Sequence, residues 1–235
     1  LPFRSSFGIL PSVNSSIRSH FLSVCRRLDT LRFVVATDGN VSIRLPRERM
    51  LITPSGVNKG KLKAADLVTL RLDGMLVAGR RKASTEADMH RFVYESRPDV
   101  NAVVHAHPTC ATAFAAARIP LNLAVFPEVI VGLGPVPLAE YATPSTAEVR
   151  ESLRPHIGSA NAILLANHGA ITFGATLDEA MNRMEKLEHF AHMIILARQL
   201  GGERLLTQQE YERLKAISIS SYGKEIADST KWKTA

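Results

Sequence analysis

Apolar positions along the chain switch between two periods, and the switch points outline alternating helices and strands. Over residues 16–31, Ile17, Phe21, Val24, Leu28 and Leu31 recur at three- and four-residue spacing, which predicts an amphipathic helix. The turn cluster Thr37-Asp38-Gly39-Asn40 then leads into a short strand at 41–45. A second strand at 50–53 is stopped by Pro54-Ser55-Gly56. Residues 67–72 alternate into Asp73-Gly74, a hairpin signal, with the return strand at 75–78. Ser84-Thr85-Glu86-Ala87-Asp88 reads as a helix start, with Thr85 as cap, Asp88 three residues on, and Met89, Phe92 and Val93 on the buried face before Pro98.

The second half continues in the same way. Strands are predicted at 102–107, 128–131, 162–166 and 170–173, and a helix at 109–117. A long helix over 178–200 carries acids in its first turns and ends at Gly201-Gly202. Short strands, several in hairpins, interleave with helices throughout. The expected fold is a single α/β domain with a mixed, largely antiparallel central sheet flanked by helices on both faces. Its expected extent is 15–205, between an N-terminal extension at 1–14 and a C-terminal tail at 206–235.

Composition narrows the function classes. At 235 residues, the chain has ordinary globular apolar and charged content, and its apolar runs are too short or too interrupted to span a bilayer, so no membrane partner is expected. Cys25 and Cys110 form no framework pattern, which points to a reduced, cytoplasmic compartment. The formal charge of +7 invites a nucleic-acid reading, but the basic residues are scattered and no zinc-finger or RNP-type signature accompanies them. A positive field suits an anionic small substrate instead. Residues 1–28 hold Arg4, Arg18, Arg26 and Arg27 and no acid, a transit-peptide-like composition; the simpler expectation is a loose extension running into the first helix.

Candidate chemistry begins at VVHAHP, residues 103–108. Residues i and i+2 of a strand face the same side, so His105 and His107 present two imidazoles to one surface at a strand end. His168, in LLANHG at 164–169, ends another apolar strand, with Gly169 allowing close backbone approach. Either pattern alone is common in ordinary cores; together they suggest three imidazoles around a divalent metal. Zn²⁺ suits that set best, with Mn²⁺, Co²⁺ or Ni²⁺ also compatible. Glu86, read as lying in the first turn of its helix, is the acid able to ligate that metal or act as a base beside it, although such acids are usually plain helix-start residues. His189 and His192, near Glu185 and Glu188 on the long helix, are weaker candidates, while His20, His90 and His156 stand alone and read as structural. The turns at 37–40 and 53–56 offer hydroxyl and amide donors for a phosphate.

In order, the segments TDGNVSIR (37–44), ITPSGV (52–57), STEADMHR (84–91), NAVVHAHP (101–108), LAEYATPST (138–146) and LLANHGAITFGATLDEAM (164–181) resemble the class II aldolase family. That family contains L-fuculose-phosphate aldolase, ribulose-phosphate 4-epimerase and adducin-like members. The resemblance covers roughly residues 15–202. It implies that His105, His107 and His168 bind the metal. It also implies that Glu86 ligates the metal at rest and serves as general acid/base, and that Gly39, Asn40, Ser55, Gly56, Ser84 and Thr85 hold the substrate phosphate. A homotetramer with active sites between subunits is implied as well. The expected activity is metal-dependent cleavage of a ketose 1-phosphate to dihydroxyacetone phosphate and an aldehyde through a metal-stabilised enediolate. The alternatives are decarboxylation or 4-epimerisation on the same scaffold, or a non-catalytic adducin-like binding domain. One departure bears on the aldehyde half: the fuculose-type aldolases carry a tyrosine shortly after the segment matching Ile119-Pro120, and LNLAVFPEVIVGLG here contains none. Tyr141, Tyr211 and Tyr222 are the candidates to replace it.

Overall fold

The computed structural model describes residues 14–223 and 225–235, and the expectations for residues 1–13 lie outside them. The first helix, α1 (Ser15–Thr30), is capped by Asn14, whose side-chain oxygen accepts the Ser16 amide at 2.9 Å. It buries Phe21, Leu22, Val24, Cys25 and Leu28, the stripe that its periodicity predicts. Eight strands follow: β1 (Asn40–Leu45), β2 (Arg49–Ile52), β3 (Val68–Arg71), β4 (Leu76–Ala78), β5 (Ala102–Ala106), β6 (Leu138–Ala139), β7 (Ala162–Leu165) and β8 (Gly169–Gly174). They form one sheet in the order β4-β3-β2-β1-β5-β8-β7-β6. Every neighbouring pair is antiparallel except β6 and β7.

The remaining helices are α2 (Ala87–Ser96), α3 (Thr109–Ala116), α4 (Pro127–Gly132), α5 (Glu148–Leu153), α6 (Leu177–Gln199) and α7 (Gln208–Tyr222). They cover both faces of the sheet. Strand periodicity explains how one sheet serves two cores. Ala102, Val104, Ala106, Ala162, Leu164 and Ala170 pack against α1, α3 and α6, whereas Val103, Ile163, Leu165, Ile171 and Phe173 pack against α2 and α5. His105 shares the parity of Val103 and therefore faces the second core from the end of β5. Small residues line the first face of β5 and β8, where the long helix α6 crosses the sheet. Its spine of Leu177, Ala180, Met181, Met184, Leu187, Phe190, Ala191 and Ile194 keeps the three- and four-residue spacing.

Three features depart from the expected elements. Residues 128–131 belong to helix α4, not to a strand. Pro127 occupies its first turn with its φ already helical, Glu128 favours the same helix start, and Val129 and Ile130 are buried within the helix while Val131 is half-exposed. Helix α2 starts at Ala87, so Glu86 is the cap residue rather than a first-turn residue, and Thr85 makes no capping bond. Residues 206–235 hold α7, and Tyr211 and Trp232 join the first core. The chain end pairs beside Leu123, with the Lys233 amide donating to the Asn122 carbonyl at 2.7 Å.

Candidate metal centre and anion loops

His105 and His107, His168, and Glu86 come from three separate places in the chain and meet at one end of the sheet. His105 is the fourth residue of β5, paired to Asn40 of β1 on one side and Ile171 of β8 on the other. His107 follows the strand, its amide held by the Phe33 carbonyl at 2.8 Å. His168 sits in the tight turn between β7 and β8, where Asn167 takes a left-handed φ of 56°. A Cβ on Gly169 would strike the His107 ring and lie 2.7 Å from the Ala106 carbonyl, so only glycine lets this turn close against the His-Ala-His strand end.

The three rings are mutually 4.7–5.1 Å apart between centroids. His105 is fully buried, and its Nδ1 faces the Ala170 carbonyl at 2.9 Å. A carbonyl only accepts, so Nδ1 carries the proton and Nε2 presents a lone pair to the site. His107 turns Nδ1 toward Asp38 at 3.9 Å and Nε2 toward the His105 Nε2 at 3.2 Å. Glu86 closes the group: one carboxylate oxygen is 3.3 Å from His105 Nε2 and the other 3.5 Å from His168 Nε2. That second oxygen, Oε1, is buried with no hydrogen-bond donor.

These distances pass a simple test. Four ligands at zinc-type bond lengths of about 2.0–2.1 Å in a tetrahedron stand about 3.4 Å from one another. Two ring nitrogens facing each other at 3.2 Å, beside a carboxylate oxygen that has no donor, form the arrangement that a cation between them would satisfy. Electrostatics agree: burial holds His105 down at about 3 and also lowers His107, keeping both rings in the neutral, ligating form. Burial alone would raise Glu86, but His105, His168 and the Asn40 amide outweigh it and keep the carboxyl below its usual range.

Behind Glu86 lies a buried polar chain that the sequence reading missed. Asn40 Nδ2 donates to Glu86 Oε2 at 2.7 Å, and Asn40 Oδ1 meets His90 Nε2 at 2.5 Å. Ser42 Oγ joins His90 Nδ1 at 2.6 Å and the Tyr94 hydroxyl at 2.7 Å. The i, i+4 spacing of Glu86, His90 and Tyr94 was the available signal. His189 and His192 are solvent-facing; Glu185 pairs with Arg27, and Glu188 caps α3 through the Cys110 and Ala111 amides. They form no second centre.

The expected anion loops lie against one another. The Ser55 amide donates to the Lys82 carbonyl and the Ser84 amide to the Thr53 carbonyl, an antiparallel bridge that aligns 53–56 with 82–86. Thr53 in turn bonds Val41 of β1. Gly39 and Gly56 both take left-handed φ, 68° and 69°. Among the described residues, the amides of Gly39, Gly56 and Thr85 have no acceptor within the chain. Clefts beside the centre are lined by Thr85, Ser145 and Thr146 next to Glu86, and by Glu140, Ala142 and Ser152 next to His168, which brings the 138–146 segment to the site. A groove of about 500 Å³ between α4, α6 and α7 shares none of these residues.

Three imidazoles at the end of the central strand, with a carboxylate beside them, form a donor set that could hold a metal ion. The profile of the family described as "Class II Aldolase and Adducin N-terminal domain" matches residues 19–195. The chain is 32% identical over 211 residues to the 5-deoxy-D-ribulose 1-phosphate aldolase of Bacillus thuringiensis serovar kurstaki, covering 88% of this chain and 97% of that one. It is also 32% identical over 210 residues to the 3-oxo-tetronate 4-phosphate decarboxylase of Escherichia coli, covering 87% and 97%. A solved L-fuculose 1-phosphate aldolase superposes with a TM-score of 0.80 at 33% identity, over 86% of this chain and 95% of that one. The chain belongs to the class II aldolase family, a family of metal-dependent lyases. No described helix is long and apolar enough to cross a membrane.

Proposed function

We propose that the protein is a metal-dependent aldolase that reversibly cleaves a ketose 1-phosphate of the L-fuculose 1-phosphate type into dihydroxyacetone phosphate and an aldehyde. The reading is carried by the convergence on His105 Nε2 of His107 Nε2 at 3.2 Å and Glu86 at 3.3 Å, with His168 Nε2 3.5 Å from the other Glu86 oxygen. His105, His107, His168 and Glu86 would hold the divalent ion, zinc by the chemistry of the set. When bound, that ion supplies Lewis-acid polarisation of the substrate carbonyl and neutralises charge as the carbon–carbon bond breaks.

The chain does the rest. Gly39, Asn40, Ser55, Gly56, Ser84 and Thr85 bind the phosphate and so fix the ketose end relative to Glu86. Glu86, one oxygen restrained by Asn40 and the other free of donors, delivers a proton to the carbon that the aldehyde leaves, and takes it back in condensation. The departing half must also shed its hydroxyl proton. Tyr211 is excluded from that task, because it is buried with its hydroxyl given to the Ala227 carbonyl. Tyr141, 52% exposed on the segment beside His168, is the tyrosine we assign to it. We place this catalytic unit at 15–205, in a cytoplasmic homotetramer with sites between subunits, as the family resemblance implies.

The test is incubation of the metal-loaded protein with a panel of ketose 1-phosphates, reading dihydroxyacetone phosphate through a coupled reductase. Triose phosphate release is expected. The equal identity to a sugar-acid phosphate decarboxylase favours a second reading; CO₂ from such an acid, with no triose phosphate from any ketose, replaces the first.

A further inference from the structure

Lys59 is 1% exposed, yet no carboxylate touches it. Its Nζ donates to the Thr37 carbonyl at 2.7 Å and to the Val57 carbonyl at 2.9 Å. Those two carbonyls belong to different loops: Thr37 opens the turn that continues through Gly39 and Asn40, and Val57 closes the turn that contains Ser55 and Gly56. The root of the side chain is fixed as well. Asn58 Oδ1 accepts the Gly60 amide at 3.0 Å while its Nδ2 donates to Asp29 at 3.1 Å, which anchors the 58–60 turn to α1. Gly60 packs directly on Asp29, with no room for a Cβ.

A buried ammonium is costly unless it is paired. Here two of its three protons meet neutral carbonyls. Burial correspondingly lowers its pKa from the usual lysine value. Among the described residues no acid is in contact with its ammonium; Cys25, Asp38 and Glu86 act on it only through space. The ammonium sits behind two loops whose Gly39 and Gly56 amides are without acceptors.

We propose that Lys59 is the positioning residue of the phosphate pocket, tying the 37–40 and 53–57 loops into one cradle and lending it a fixed positive charge, with the phosphate of the substrate as its counter-ion. This rests on those loops being the phosphate site. Lys59 does not touch the substrate; it sets the spacing of the amides that do. Its loss weakens binding of the phosphate end while leaving the histidine centre filled.

Inorganic phosphate is the probe. Its dissociation constant is measured by calorimetry on wild type, K59M and K59Q, together with bound metal and the KM and kcat of whichever ketose phosphate is cleaved. Expected are phosphate binding weakened about tenfold or more in both variants, the scale of losing one nearby charge, with metal content unchanged and the loss in KM rather than kcat. Wild-type phosphate affinity in both variants overturns the role of Lys59 and leaves the phosphate loops standing. Tight binding in K59Q but not K59M overturns the charge. No phosphate binding by wild type overturns the loop assignment and this proposal with it. Should the variants fail to fold, nitrogen-labelled lysine NMR on wild type decides: a protected ammonium signal that moves on phosphate addition supports the proposal, and none moving overturns it.

Discussion

Asn40 holds Glu86 by a 2.7 Å bond from Nδ2 to the carboxylate, and a chain of directed hydrogen bonds decides which way Asn40 faces. Because Nδ2 donates to Glu86, Oδ1 must accept, so His90 carries its proton on Nε2. His90 Nδ1 then accepts from Ser42, and Ser42 accepts from Tyr94. The amide of Asn40 therefore cannot flip without leaving two buried partners unsatisfied. Exchanging that amide for a carboxylate sets like charges against each other and raises the pKa of Glu86. Asn40→Asp is expected to lower turnover at pH 7 by about tenfold or more and to move the acidic limb of the pH–rate profile upward. An unchanged profile would separate Asn40 from Glu86.

Glu86→Gln keeps a hydrogen-bonding side chain but can neither give nor take the proton. Turnover should fall by about 10² or more while the thermal midpoint of the metal-free protein stays close to wild type. Near-normal turnover removes Glu86 from proton transfer.

His107→Ala takes one imidazole from the centre without opening the core, since His107 is only half-buried. Metal analysis of the purified variant should show bound zinc reduced severalfold or more relative to wild type, and chelation of wild type should abolish turnover, restored by added metal. Full metal occupancy in the variant would dissolve the proposed shell.

Gly169→Ala tests the turn rather than a ligand. The added methyl meets the His107 ring and the Ala106 carbonyl, and backbone must move to admit it. A cost of about 1–3 kcal/mol in stability is expected, with weaker metal binding because His107 and His168 are displaced from each other. Unfolding midpoints and metal affinity read both.

Acid should unfold the metal-free protein through its buried rings. Burial holds His90 at about 4 in the folded state, with Glu86 pulling the other way, against 6.5 for a free imidazole. The folded chain thus binds the proton less readily than the unfolded chain. The stability at stake is intact above about pH 6.5 and is lost as pH falls toward 4, on the order of 3 kcal/mol for His90, with His105 acting in the same direction. Urea midpoints measured from pH 7 to 4.5 should fall, and His90→Phe should fall less steeply; parallel slopes would mean that His90 is not the group.

Much of the fold was legible because strands and helices announce themselves by period. The strands around the site were placed within a residue or two from their apolar runs and turn residues. The 128–131 segment was misread because a short β-branched run carries no period long enough to distinguish strand from helix, and Pro127 decided it. Strand β6 has only two residues, Leu138 and Ala139, and its pairing depends on β7 being present. The histidines were visible as strand-end residues, whereas the Asn40–His90–Ser42–Tyr94 chain was not. Its members lie on β1 and α2, and their alignment exists only once the β1–β5 register places Asn40 opposite His105.

That register also orders events in time. His105 and His107 are neighbours in sequence, but Asn40 and His168 reach them only once β1 and β8 have closed on either side of β5, across stretches of some sixty residues each. If these residues are the metal ligands we propose, a newly made chain would offer an ion only a two-imidazole grip until its central sheet is zipped. On the proposed shell, full-strength metal capture would mark a completed sheet, and a chain truncated before His168 would lack one of the ligands.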